Sequence, residues 1–102
     1  MVIAVYRPKP GQDEARLTLT KDPVPRLRRL GLATDRPALA CRAADGSIVE
    51  MFEWHPGAAA AAHDHPEVLA MWAKYEQACD DATLGSLAEA AALFPHFTPI
   101  DL

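Results

Sequence analysis

Two short runs of this chain are apolar at both parities of an extended backbone, and that property restricts its folds more than any other. Met1 to Arg7 reads Met-Val-Ile-Ala-Val-Tyr-Arg, with Val2, Ala4 and Tyr6 on one side and Ile3 and Val5 on the other. Ser47 to Trp54 sets Ile48, Phe52 and Trp54 against Val49 and Met51. A sheet built from such strands must be covered on both faces. The chain has only 102 residues, and its helix-compatible segments suffice for one covering layer. A bare second face would exceed the apolar patch that soluble monomers expose. A second copy of the same sheet, related by a twofold axis, supplies the missing cover because identical surfaces then meet. A homodimer is therefore expected.

The remaining composition narrows the class. Half of the residues are apolar and 24% are charged, which fits one globular domain over 1–102 and excludes a disordered tail. No apolar run approaches the roughly 18 to 20 residues that a membrane span requires. A formal charge of −4 provides no positive field for a polyanion, so neither nucleic acid nor membrane is an expected partner. Cys41 and Cys79 lie in unrelated patterns, and the amino terminus lacks a basic stretch followed by an apolar core. The reading is a reducing, cytoplasmic setting in which both thiols serve as small buried apolar groups.

Local signals order the elements. The Pro8 to Gly11 punctuation ends the first strand, and a helix-compatible stretch from Gln12 carries Leu17, Leu19, Val24, Leu27 and Leu30 before Gly31. Asp22-Pro23-Val24-Pro25 interrupts that helix and restarts it. Pro37 to Ala43 and Ser47 to Trp54 read as a hairpin around Asp45-Gly46. Ala58 to Ala62 predicts a short helix, and Asp64-His65-Pro66-Glu67 a capping box opening the main second helix, with Val68, Met71, Trp72, Tyr75 and Cys79 at helical spacing. Ser86 to Glu89 repeats the box before another short helix, and Phe97 to Ile100 predicts a brief edge strand, the fourth. The fold class is α+β, a ferredoxin-like β-α-β-β-α-β arrangement with helices on one face of an antiparallel sheet.

With that order in place, Ile48-Val49-Glu50-Met51-Phe52-Glu53-Trp54, the segment His63 to Val68 leading to Met71-Trp72, and the ending Phe94 to Asp101 together resemble the dimeric α/β-barrel superfamily. That group includes the antibiotic-biosynthesis-monooxygenase-like and stress-responsive barrel domains, and the likeness is to an uncharacterised bacterial branch. The resemblance implies a pocket in each subunit between the sheet and its helices. Quinone-forming and haem-degrading members typically use an asparagine beside a tryptophan and an arginine or histidine, whereas this chain has no asparagine. No catalytic set is carried across.

The candidate chemistry is therefore read from the residues. His63 falls at the end of the alanine helix, where imidazole either satisfies terminal carbonyls or faces the pocket as a general base. Glu50 shares a strand face with Ile48, Phe52 and Trp54; it is either an acid or base with a raised pKa, or a partner of Arg42 or Arg7 on a neighbouring strand. Tyr6, Phe52, Trp54, Trp72 and Tyr75 either pack the core or line an aromatic cavity for a flat ligand. His55, His63 and His65 with Asp64 or Glu67 have ligand types but a spacing that splays the rings, so no metal is expected. Arg26, Arg28 and Arg29 read as a solvated helix face, and no cofactor motif is present. The resulting expectation is a homodimer with a small apolar pocket, a cofactor-independent monooxygenase or isomerase acting on a small aromatic or polyketide-like compound. The alternative is a non-catalytic small-ligand-binding or interaction module, and a haem-binding variant ranks third.

Overall fold

A computed structural model describes all 102 residues. Strand β1 spans Val2–Pro8, helices α1 and α2 span Asp13–Leu19 and Pro23–Arg29, and strands β2 and β3 span Leu39–Arg42 and Ile48–Phe52. Helices α3 and α4 cover Ala58–Ala62 and Pro66–Ala78, strand β4 covers Cys79–Ala82, and strand β5 covers Thr98–Ile100. The five strands form one antiparallel sheet in the order β4-β1-β3-β2-β5, giving a small α+β domain. No helix is long and apolar enough to cross a membrane.

The local signals operate as their chemistry requires. Gly46 adopts φ +91°, and Asp45 Oδ1 accepts from the Ser47 backbone N–H at 2.8 Å, closing the β2–β3 hairpin. Pro23 and Pro25 fit the opening of α2 because the first helical N–H groups have no intrahelical acceptor. Gly57 takes φ +77° to turn the chain into the alanine helix.

Register fixes what each sheet face carries. Val2, Ala4 and Tyr6 stand opposite Phe52, Glu50 and Ile48, while Ile3 and Val5 stand opposite Met51 and Val49. The first set faces the main core, where Phe52 belongs to one cluster with Val24 and Leu27 of α2, Ala58 and Ala62 of α3, and Val68, Met71 and Tyr75 of α4. The opposite face has a smaller core: Val5 and Val49 with Ala43 and Leu87, joined by Cys41, Ala82 and Phe97.

Several expectations need correction. The edge strand beside β1 is Cys79–Ala82, which directly continues from α4, so the terminal strand is the fifth and pairs with β2 on the opposite edge. The segment after Ser86 forms two 3₁₀ turns, Leu84–Ser86 and Ala88–Ala91, rather than an α-helix. These turns belong to an arm that places Leu87 against Val5 and Val49, so the second sheet face is partly covered from within the chain. An apolar row across three strands, Ile3, Met51 and Leu39, stays accessible, with Leu39 62% exposed. The N-cap of α4 is His65, not Asp64; its Nδ1 accepts from the Glu67 N–H at 3.3 Å.

Candidate functional site

The side chain at the centre of the helix-covered face comes from α1. Asp13 and Glu14 occupy the first turn of α1, where negative charge suits the helix dipole, and its buried residue is Arg16. Arg16 is 0% exposed. One turn on, Thr20 shares its helix face: Arg16 Nη1 donates to Thr20 Oγ1 at 3.0 Å, and that hydroxyl donates to the Arg16 carbonyl at 2.9 Å. The guanidinium carbon lies 4.2 Å from the centroid of the Tyr6 ring and 5.0 Å from that of Tyr75. Both are cation–π distances, and they hold the cation between strand β1 and helix α4. Nε and Nη2 of Arg16 are buried without an oxygen partner, the Cys79 thiol being the polar group beside the cation, and no carboxylate forms an ion pair with it.

Glu50 is the second buried charge-bearing group, 1% exposed at the middle of β3. Its register partners on both sides, Ala4 and Ala40, are small and leave room beside the carboxyl. A cavity of about 140 Å³ opens there, walled by Glu50, Tyr6, Phe52, Trp54, Trp72 and Tyr75. Burial pushes the Glu50 carboxyl up to about 7, against the opposing pull of the Arg16 cation. Glu50 Oε2 and the Tyr75 hydroxyl are both buried and unpartnered. Burial also holds the hydroxyls of Tyr6 and Tyr75 well above the ordinary tyrosine range, reinforced at Tyr6 by the charge of Glu50 and at Tyr75 by that of Asp22. Both phenols are therefore available as donors at neutral pH.

A larger groove of about 490 Å³ shares Tyr6, Trp54, Trp72 and Tyr75 with this cavity and adds His63, Glu76 and Asp81. His63 is exposed at the C-cap of α3, its ring centroid 5.0 Å from that of Trp72 at a 58° tilt. Phe52 and Trp54 pack edge to face at 4.9 Å. The five aromatic candidates thus converge on one region, and the two polar candidates divide: Glu50 lines the inner cavity and His63 the outer groove. A separate depression of about 440 Å³ between α1 and β5 is lined by Leu17, Lys21, Arg42 and Thr98 among others, and none of its groups is buried and unpartnered.

The expected pairing of Glu50 with Arg42 or Arg7 does not occur. Arg7 lies at the other parity of β1 and reaches Ser86 Oγ at 3.4 Å, and Arg42 is exposed. No three His, Cys, Asp or Glu side chains gather as a metal site would require. The basic residues of α2 bind their own surroundings: Arg26 pairs with Asp22 at 3.1 Å, Arg28 donates to the carbonyls of Thr34 and Arg36, and Arg29 pairs with Glu67 at 3.0 Å. Cys79 is buried, with its thiol donating to the Tyr75 carbonyl, whereas Cys41 is half-buried.

Arg16 was absent from the sequence-derived candidates. The signal available was spacing: Leu17 and Leu19, two apart, cannot share one helix face, whereas Arg16 and Thr20 can. The chain matches no family model, and no curated protein or solved structure matches it.

Proposed function

We propose that this chain is a proton-transfer enzyme of the isomerase kind, acting on a small aromatic or polyketide-like carbonyl compound without a cofactor. The observation that carries this reading is Glu50, a carboxyl poised near neutrality in a cavity walled by aromatic rings. A general base works best when its pKa lies near the working pH, and a water-excluding wall preserves the carbanion it generates. Glu50 takes a proton from the carbon beside the carbonyl and returns it to another carbon of the conjugated system. Phe52, Trp54 and Trp72 hold the flat ligand, and the Tyr6 hydroxyl orients it. His63, on the solvent side of the aromatic wall, serves the mouth of the groove rather than the reacting carbon. Of the two reactions expected from the sequence, isomerisation is the one favoured, because it needs only the carboxyl in place.

The fold and assembly in this reading are ferredoxin-like and dimeric. The order β4-β1-β3-β2 with an added β5 supports the first, and the accessible row Ile3, Met51 and Leu39 supports a second copy packed on the arm-bearing face. Exchange of the α-protons of phenylacetone in D₂O, followed by proton NMR, tests the chemistry. Exchange should exceed the buffer rate, and Glu50→Gln should abolish the excess. Exchange at the buffer rate, or an undiminished rate in the Gln variant, would overturn the reading. Light scattering tests the assembly: a particle of one chain's mass at micromolar concentration would refute the dimer.

A further inference from the structure

Four polar atoms lack partners on two residues that line the inner cavity and on the arginine stacked against its wall: Oε2 of Glu50, Oη of Tyr75, and Nε and Nη2 of Arg16. Buried polar groups are almost always satisfied, so a cluster of orphans around one space marks a place where something else supplies the bonds. Three of the four are donors, and they come from α1 and α4, two helices that pack against each other. The charge points the same way. Arg16 is a buried cation with no ion-pair partner, stacked on the two tyrosine rings that wall the cavity.

We infer that the free edge of Arg16, the Tyr75 hydroxyl and the Glu50 carboxyl form a site for the anionic oxygen of a one-ring ligand: an enolate, a phenolate or an arene carboxylate. The inference rests on the proton-transfer reading and names what that site binds. Ring count follows from volume: a cavity of about 140 Å³ is close to the roughly 150 Å³ that accommodates benzene. Polarity follows from the donors, because unpartnered N–H and O–H groups stabilise negative charge as it develops on an oxygen.

The site also explains why a base and a cation are buried together without touching. When the Glu50 carboxylate takes a proton from the carbon beside the ligand carbonyl, the C–H electron pair becomes a C=C bond and the carbonyl π pair moves onto oxygen. One negative charge leaves Glu50 and one appears on the ligand oxygen, while Arg16 faces a single anion throughout. Return of the proton to a different carbon restores both the carbonyl and the Glu50 carboxylate, with nothing oxidised or reduced. A ligand that is already an anion must therefore enter with Glu50 protonated.

Benzoate is the probe, because it is ionised throughout the range tested, and benzamide is its neutral counterpart. Calorimetry on the intact protein should show benzoate binding at least tenfold more tightly than benzamide at pH 6. Above about 7, where Glu50 ionises, benzoate affinity should fall tenfold per pH unit in the native protein and stay level in Glu50→Gln. The other groups facing this cluster, namely Asp81 and Cys79 toward Tyr6, and Asp22 and Arg26 toward Tyr75, are retained in both proteins, so their contributions cancel in the comparison. Arg16→Met, which keeps the stem against the tyrosine rings, should weaken benzoate by at least about tenfold. Tyr75→Phe, which keeps the ring and loses only the hydroxyl, should weaken it by about tenfold and decides the matter if the Met variant does not fold. Equal binding of benzamide, no benzoate binding at millimolar concentration, or undiminished affinity in Tyr75→Phe would overturn the inference. Benzoate binding with this pH profile but no phenylacetone exchange would leave the anion site standing and remove the enzyme. Exchange without benzoate binding would do the reverse.

Discussion

The two faces of the sheet are made from the same kinds of residue and finish differently. On one face, Val2, Tyr6 and Phe52 join a core with α2, α3 and α4, and under the helices lie a buried arginine of α1 and a buried glutamate of β3. On the other, Val5 and Val49 meet only Leu87, Ala43 and the half-buried Cys41, Ala82 and Phe97. The helical layer is deep enough to exclude water from charged groups, which is what shifts Glu50. The arm is one residue thick at Leu87, and it leaves the row Ile3, Met51 and Leu39 in reach of a partner. Depth of cover, more than apolar content, thus separates a face that can host ionic chemistry from one suited to association.

If this contrast is real, equal deletions on the two faces must have unequal costs. Leu27 and Leu87 are both almost fully buried leucines. Leu27→Ala leaves a cavity in the continuous helical core and should cost about 3 kcal/mol. Leu87→Ala should cost about half of that, because the arm can settle onto the sheet or lift from it locally. Urea unfolding of the two variants measures both, and a Leu87→Ala loss equal to that of Leu27→Ala would erase the distinction.

A second contrast is in pH dependence. A group whose folded-state pKa is raised stabilises the fold fully below its unfolded pKa, and that contribution is lost as pH rises through the folded value. For Glu50 the window runs from the ordinary 4.5 to about 7. This group alone should reduce native stability by up to roughly 3 kcal/mol between pH 4.5 and pH 8. Glu50→Gln should show no such decline and should exceed the native protein above pH 7 in urea midpoint. A native profile parallel to that of the variant would mean that the cover over Glu50 is wetter than its burial indicates. No ionisable residue on the arm-bearing face should reproduce this slope. Cys41, whose thiol burial pushes upward, titrates only at higher pH.

The sequence reveals elements wherever the deciding physics is local. Asp45-Gly46, the five alanines and the Asp22-Pro23-Val24-Pro25 restart each contain their own turn or helix chemistry, and each forms where the pattern places it. Parity on β1 and β3, with helical spacing on α4, likewise brings the five aromatic candidates together. Strand β4 is different. Cys79-Asp80-Asp81-Ala82 contains two adjacent acids and follows α4 without a turn residue, so only its pairing with β1, where Arg7 stands opposite Asp80, makes it a strand. Arg16 was hidden by a general rule, since arginine is almost never fully buried unless paired. What permits it here is two tyrosine faces contributed by elements nearly 70 residues apart in the chain, which no local window includes.

The smallest test concerns what fastens the arm. Besides Leu87, its attachments are polar: Glu89 Oε2 accepts from the Ala44 backbone N–H at 2.7 Å, next to the hairpin turn, and Ser86 Oγ accepts from Arg7. Glu89→Ala removes a charge-assisted bond at a partly exposed site and should cost about 1 kcal/mol. The more telling readout is where protection from hydrogen exchange is lost. If the arm opens separately, the Ala44 amide should exchange faster in the variant while amides of α2 and α4 keep their native ranking. Equal acceleration across both faces would mean that arm and helices unfold as one unit. The second face would then be shielded as firmly as the first, and the accessible Ile3, Met51 and Leu39 row would lose the looseness that lets a second copy compete for it.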